Sequence, residues 1–307
     1  MKDPIPFVDA HVHLWKLDGS IGYSWLRPPF SDDGPNGSVE AIAVDYELDD
    51  YLADAKRWNV VGMVHVEAGA DASQALDETD WVQTIADRRG LPNGVVAFAA
   101  LDHPNIERSL EAHAGHAAVR GVRQIVNWHA NPQRTYSATD VTLNPTWERG
   151  FSLLGQRGLS FDLQCYPKQM PNIAAIAQRH PEVPIIVNHA GMPVIDDPNG
   201  LDEWRRGMAL LAALPQVSVK LSGFGFIDRG WAVQSVHHFV RELIDLFGPD
   251  RLMAASDFPT DKLFADFDKC LEALHALTAD LSKDERSAIF ARNAMRTYRL
   301  NISGPNA

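Results

Sequence analysis

Cysteine is almost missing from this chain: only Cys165 and Cys270 occur in 307 residues. Two cysteines so far apart make neither a disulfide framework nor a thiolate metal site, and read as small buried hydrophobes. No uninterrupted apolar run approaches the roughly 20 residues of a transmembrane helix. The opening Met1–Pro6 stretch carries no apolar leader segment, which predicts a soluble, cytoplasmic protein. Positive charge is also scarce: 28 Lys and Arg against 40 Asp and Glu give a formal net charge of −12. That field repels phosphate backbones and anionic lipid, so neither nucleic acid nor a membrane is an expected partner. It constrains a small substrate little, because a nearby Arg or Lys outweighs distant charge at physiological salt. A Gly-rich dinucleotide turn after the first strand-like run is absent too. Ser222-Gly223-Phe224-Gly225 lacks the rest of that fingerprint and reads as a turn. No Gly-x-Ser-x-Gly elbow occurs, which removes the usual serine nucleophile.

What the chain has is alternation. Eight β-branched apolar runs recur at residues 7–14, 60–68, 95–101, 118–126, 159–165, 183–190, 217–222 and 251–257. Helix-spaced apolar residues lie between most of them, as at Leu48–Trp58, Trp81–Arg89, Ile106–His116, Met170–Arg179 and Val233–Phe247. Near-continuous apolar strands, each followed by a helix, predict a parallel sheet covered on both faces. Eight such units in this length predict one (β/α)₈ TIM barrel spanning residues 1–307, with an open doubly wound sheet as the alternative. Two connections are long: residues 16–46, rich in Gly, Pro and aromatics, and residues 128–145. Long loops after barrel strands lie on the face where sites are built, so both are expected to cover substrate.

Polar residues end most of these apolar runs. The first ends with His11 and His13, two residues apart and therefore on one face of a strand. The others carry His65 and Glu67, Arg123, Asp162 and Gln164, Asn188 and His189, Lys220 and Ser222, and Ser256 and Asp257. Burying so many polar groups costs kilocalories each unless they pair with one another, water, a metal or a substrate. Their convergence at one barrel mouth predicts a site. His65 and Asp162 read first as structural groups, with His65 kept among the residues facing substrate.

The runs Asp9-Ala10-His11-Val12-His13, Gly121-Val122-Arg123, Phe161-Asp162-Leu163-Gln164, Asn188-His189-Ala190-Gly191-Met192-Pro193, Lys220-Leu221-Ser222-Gly223 and Ser256-Asp257-Phe258-Pro259 together resemble the amidohydrolase superfamily. More closely they resemble its amidohydrolase-2 branch of lactone hydrolases, which includes sugar lactonases and 2-pyrone-4,6-dicarboxylate lactonase. The closing Phe290–Tyr298 segment matches that branch as well. The resemblance implies a (β/α)₈ barrel whose site is built from the first-strand histidines, the sixth-strand histidine and the eighth-strand aspartate.

An aspartate beside several histidines can deprotonate water for attack on an acyl carbon, and no better nucleophile is present. Asp257 is therefore assigned as general base. His11, His13, His189 and Asp257 are assigned to a metal or to the carbonyl, and Arg123 and Lys220 to the developing oxyanion. One divalent ion is expected, Zn²⁺ before Mn²⁺, because three His and one Asp suffice for it. Gln164 stands where many metal-dependent members have a histidine, and no bridging lysine occupies the fourth strand, so a dinuclear centre is not expected. The branch also includes members that work without metal. With one strand-end arginine, and Trp15, Trp25 and Trp128 in or beside the loops, an aldonolactone is the expected substrate. A carboxylated lactone from aromatic degradation and a metal-dependent decarboxylation are the alternatives. Oligomeric state is not legible, which leaves a homo-oligomer open.

Overall fold

Eight parallel strands run in sequence order around one sheet. They are β1 (Pro6–Val12), β2 (Asn59–Val66), β3 (Gly94–Phe98), β4 (Val119–Ile125), β5 (Ser160–Gln164), β6 (Ile185–Val187), β7 (Val217–Leu221) and β8 (Leu252–Ala254). The computed structural model describes residues 5–302; residues 1–4, on which part of the leader reading rests, lie outside them. β8 meets β1 just past its end, through a parallel bridge from Val12 to Phe258. The His13 amide donates to the Phe258 carbonyl at 2.8 Å and the Asp257 amide to the His11 carbonyl at 2.9 Å. The expected (β/α)₈ barrel is therefore the observed architecture. Among the described residues no helix is long and apolar enough to cross a membrane.

Helices alternate with the strands as their apolar spacing requires, Met170–Arg179 and Val233–Phe247 with the expected bounds. The helix expected over Leu48–Trp58 stops at Asp54, and that expected from Trp81 begins earlier, at Ala75. Inside the barrel, Val8, Ala10, Val64, Val66, Val96, Ile186 and Met253 form a cluster with Tyr298 and Leu300 of the C-terminal segment. Strand residues such as Phe7 and Phe161 and helix residues such as Phe151 and Trp204 form the larger layer outside. A register shift between Asp9 and Val12 marks a bulge in β1. Bulges re-aim side chains, and here the re-aimed ones are the paired histidines.

Strands β6 and β8 are short, so His189 and Asp257 lie just beyond them rather than within them. Both take left-handed backbone, at φ 52° and 58°, as does Ala190 at φ 53°. That conformation costs a non-glycine residue about 1–3 kcal/mol and persists where the surroundings over-determine it. With Met192 at φ 45°, four strained residues at one end of the barrel point to that end as the working one.

Candidate functional site

Three donor atoms meet at the C-terminal mouth of the barrel. His11 Nε2 lies 3.2 Å from His13 Nε2, and Asp257 Oδ1 lies 3.2 Å from His13 Nε2 and 3.4 Å from His11 Nε2. Tetrahedral coordination at 2.0–2.1 Å places zinc ligands about 3.3 Å apart, so the triangle has the dimensions of one face of such a site. His189, His11 and Asp257 also offer donor atoms all within 4.8 Å of one another. His189 Nδ1 stands 3.9 Å from Asp257 Oδ2 and 3.1 Å from the Ser222 hydroxyl. His11, His189 and Asp257 are thus close enough to share one divalent ion, with His13 beside His11 and Asp257.

Tautomers follow from the partners. His13 Nδ1 is 2.8 Å from the Val66 carbonyl, which only accepts, so Nδ1 carries the hydrogen and Nε2 presents a lone pair. His11 differs: its Nδ1 lies 3.3 Å from Lys220 Nζ. Its Nε2 lies 3.4 Å from Arg123 Nη1, so each ring nitrogen of His11 faces a donor-only cation. Burial holds His11, His65 and His189 in their neutral forms, His189 with a pKa lowered to about 4.

Asp257 is buried but ionised. Burial opposes the charge, yet His189, His13 and Arg123 together hold the carboxyl below its usual range. Among the described residues its Oδ2 has no hydrogen-bond partner. One oxygen of Asp257 thus belongs to the ligand triangle while the other is free to take a proton. Asp261, also buried, is pushed well above the usual carboxylate range by burial and by Asp257.

Both strand-end cations are already paired. Arg123 donates through Nε to Glu67 Oε1 at 2.6 Å, through Nη2 to the Glu67 carbonyl at 2.8 Å, and through Nη1 to Gln164 at 3.2 Å. Lys220 is fully buried on Asp162, which also accepts from Tyr298 at 2.9 Å and from Asn188 at 3.1 Å. With these two pairs neutralised, Asp257 is the uncompensated charge at the centre, so the site as a whole favours a cation over an anion.

A cavity of about 240 Å³ opens above the triangle. Of the expected substrate-facing residues, Trp25 and Gln164 line it, along with Arg123, His13, His189 and Asp257. Four expectations are corrected. Lys220 does not reach the cavity, because its charge needs Asp162 inside the barrel. Trp15 is wholly buried, donates to the Val44 carbonyl at 2.7 Å and packs edge-on beneath Trp25. His65 is a core residue whose Nδ1 accepts from the Leu14 amide at 3.3 Å. Trp128 stands on the outside of its loop, 36% exposed. Asn36, Tyr136, Phe226 and Thr260 line the cavity and were missed. Asn36 and Tyr136 belong to the two long loops singled out from the sequence, but nothing in those loops marks them over their neighbours. The loops join above the cavity where the Tyr136 hydroxyl donates to Asn36 Oδ1 at 2.5 Å.

A (β/α)₈ barrel with a His-x-His strand, a further histidine and an aspartate at its mouth defines a hydrolase class. Residues 8–300 match the family model described as amidohydrolase, and the chain belongs to that family. It is 40% identical over 297 residues, 96% of this chain and 99% of the relative, to the uncharacterized protein y4mH of Sinorhizobium fredii. It is 27% identical over 304 residues to an L-fucono-1,5-lactonase of Burkholderia multivorans, covering 95% of this chain and 96% of that one. An amidohydrolase of Burkholderia multivorans solved with bound zinc superposes at a TM-score of 0.79 with 26% identity, over 96% of this chain and 99% of the other.

Proposed function

We propose that this hydrolase opens a small uncharged lactone, a sugar (aldono)lactone, by attack of Asp257-activated water. The observation that carries the reading is the Oδ2 of Asp257, without a hydrogen-bond partner, in a cavity whose cations are already paired. A carboxylated lactone needs convergent free guanidinium groups, and Arg123 has committed its fork to Glu67 and Gln164. The volume of about 240 Å³ is below the ~300–1,000 Å³ typical of drug-sized ligands and suits one small ring. The flat face of Trp25 suits the C–H face of a sugar. Similarity to L-fucono-1,5-lactonases of two Burkholderia species, at 27% and 26% identity, supports the same substrate class.

In the mechanism, water lies between Asp257 Oδ2 and the acyl carbon. Asp257 takes its proton as the oxygen adds to that carbon, and the negative charge moves to the carbonyl oxygen. Arg123 and the cavity-lining imidazoles provide the electrostatic surroundings for that charge. Collapse breaks the ring C–O bond, and Asp257 returns its proton to the leaving alkoxide, giving the open hydroxy acid. His11, His13, His189 and Asp257 would hold a zinc ion, which would supply Lewis-acid polarisation of the acyl oxygen when bound. Acid release from a panel of lactones tests the substrate class; turnover confined to dicarboxylate lactones overturns it. Metal analysis of protein purified without added metal tests the cofactor, and full activity of a metal-free preparation removes it.

A further inference from the structure

Beside the cavity lies a groove of about 670 Å³ formed by the loops after β1, β4, β6 and β7. The two spaces adjoin one another. Phe226 lines both, and Asn36 lines the cavity while its neighbours Pro35 and Gly37 line the groove. The rim between them is held in place: Tyr136 bonds the Asn36 side chain at 2.5 Å, and Arg229 donates to the Asn36 carbonyl at 2.9 Å.

From this adjacency we infer a second subsite, which takes an uncharged glycosyl unit attached to the lactone ring; the inference rests on the sugar-lactone reading above. The lining alternates polar groups of both signs with flat apolar surface. Arg134 is paired with Asp196, Arg229 packs over Phe264 at 5.0 Å, and Asp228 takes the Gly230 amide at 2.9 Å. Phe226, Met192 and Pro193 supply apolar surface between them. An anionic extension would meet Asp32, Asp196 and Asp228 with little unpaired cation to offset them. An alkyl chain would strip water from the same carboxylates without replacing its hydrogen bonds. A neutral polyol meets both conditions, because its hydroxyls donate and accept while its C–H faces cover the apolar residues.

The test compares freshly prepared 1,5-lactones of a monosaccharide with those of disaccharides such as cellobionic and lactobionic acid. At least one disaccharide lactone is expected to show kcat/KM tenfold or more above the monosaccharide lactone. Ile195→Trp alters a groove residue that is 49% exposed and does not line the cavity. It should bring the disaccharide value down to the monosaccharide level and leave monosaccharide turnover unchanged. Gln133→Trp, from a different loop of the groove, repeats the test should the first variant fold poorly. Good monosaccharide turnover without a disaccharide advantage, or variants that alter both substrates alike, overturns the subsite and leaves the lactonase reading standing. Absence of all sugar-lactone turnover overturns that reading itself, and this inference with it.

Discussion

Replacement of Asp257 by asparagine separates chemistry from folding at the centre of the site. The backbone there has φ 58°, a conformation that asparagine tolerates at least as well as aspartate. The Oδ1 position, 3.2 Å from His13 and 3.4 Å from His11, can still be filled by an amide oxygen. What disappears is the proton acceptor at Oδ2. Loss of a positioned general base costs about 10²–10⁴-fold in kcat, or roughly 2.7–5.5 kcal/mol of barrier. The native carboxyl titrates below its unfolded value, so its stabilising contribution is present above the unfolded pKa and is lost as pH falls through the folded one. Asparagine forfeits that contribution but no longer buries a charge, and stability should stay within about 1 kcal/mol. Steady-state lactone hydrolysis and urea denaturation measure the two effects separately. Retention of more than a tenth of wild-type kcat means less than about 1.4 kcal/mol was lost, and would refute the assigned base.

Lys220→Met leaves Asp162 buried with only Tyr298 and Asn188, and breaking a buried ion pair from one side costs about 3–5 kcal/mol. Urea denaturation should show that loss, and an unchanged midpoint would mean that the pair contributes nothing. Trp15→Ala should destabilise by about 3–5 kcal/mol as a core truncation. Trp25→Ala, by contrast, should chiefly raise KM, because Trp25 lines the cavity; the opposite pattern would reverse their assignment. Glu78 is buried beside Glu67, and burial first and that carboxylate second raise its pKa to about 8. The folded state therefore prefers its proton: stability is full below about pH 4.5 and declines as pH rises through about 8. Glu78→Gln should flatten the thermal-denaturation profile across that window, and an unaltered slope would place the pH dependence elsewhere.

The sequence made the barrel legible because its two periodicities are local properties of the chain. Period two put His11 and His13 on one face, and their Nε2 atoms do converge, at 3.2 Å. His189 and Asp257 were legible as polar residues ending apolar runs. Which way a side chain points across a closed barrel is a different kind of fact. Lys220 of β7 finds Asp162 of β5 fifty-eight positions earlier, and no spacing rule connects them. Likewise Trp15 and Trp25 share one loop, yet a bridge between Trp15 and Tyr46 folds the first into the core and leaves the second at the cavity.

One part of the site was legible in the sequence and was passed over. Arg123 and Lys220 read in the sequence as groups for the substrate and its oxyanion, yet Glu67 and Asp162 end runs two strands away from each. A buried cation without a carboxylate is too costly to hold ready, so each cation at a closed barrel mouth calls for an acid first. Matching two cations to Glu67 and Asp162, and Asp9 to its amide and hydroxyl donors, leaves Asp257 over, and that remainder predicts a centre that attracts a metal ion and disfavours a dicarboxylate. The structure shows both pairings, through Arg123 Nε to Glu67 at 2.6 Å and through the buried contact of Lys220 with Asp162. Cancelling charges by strand before assigning catalytic roles would have favoured an uncharged lactone from the residues alone, with no appeal to the aromatic loops.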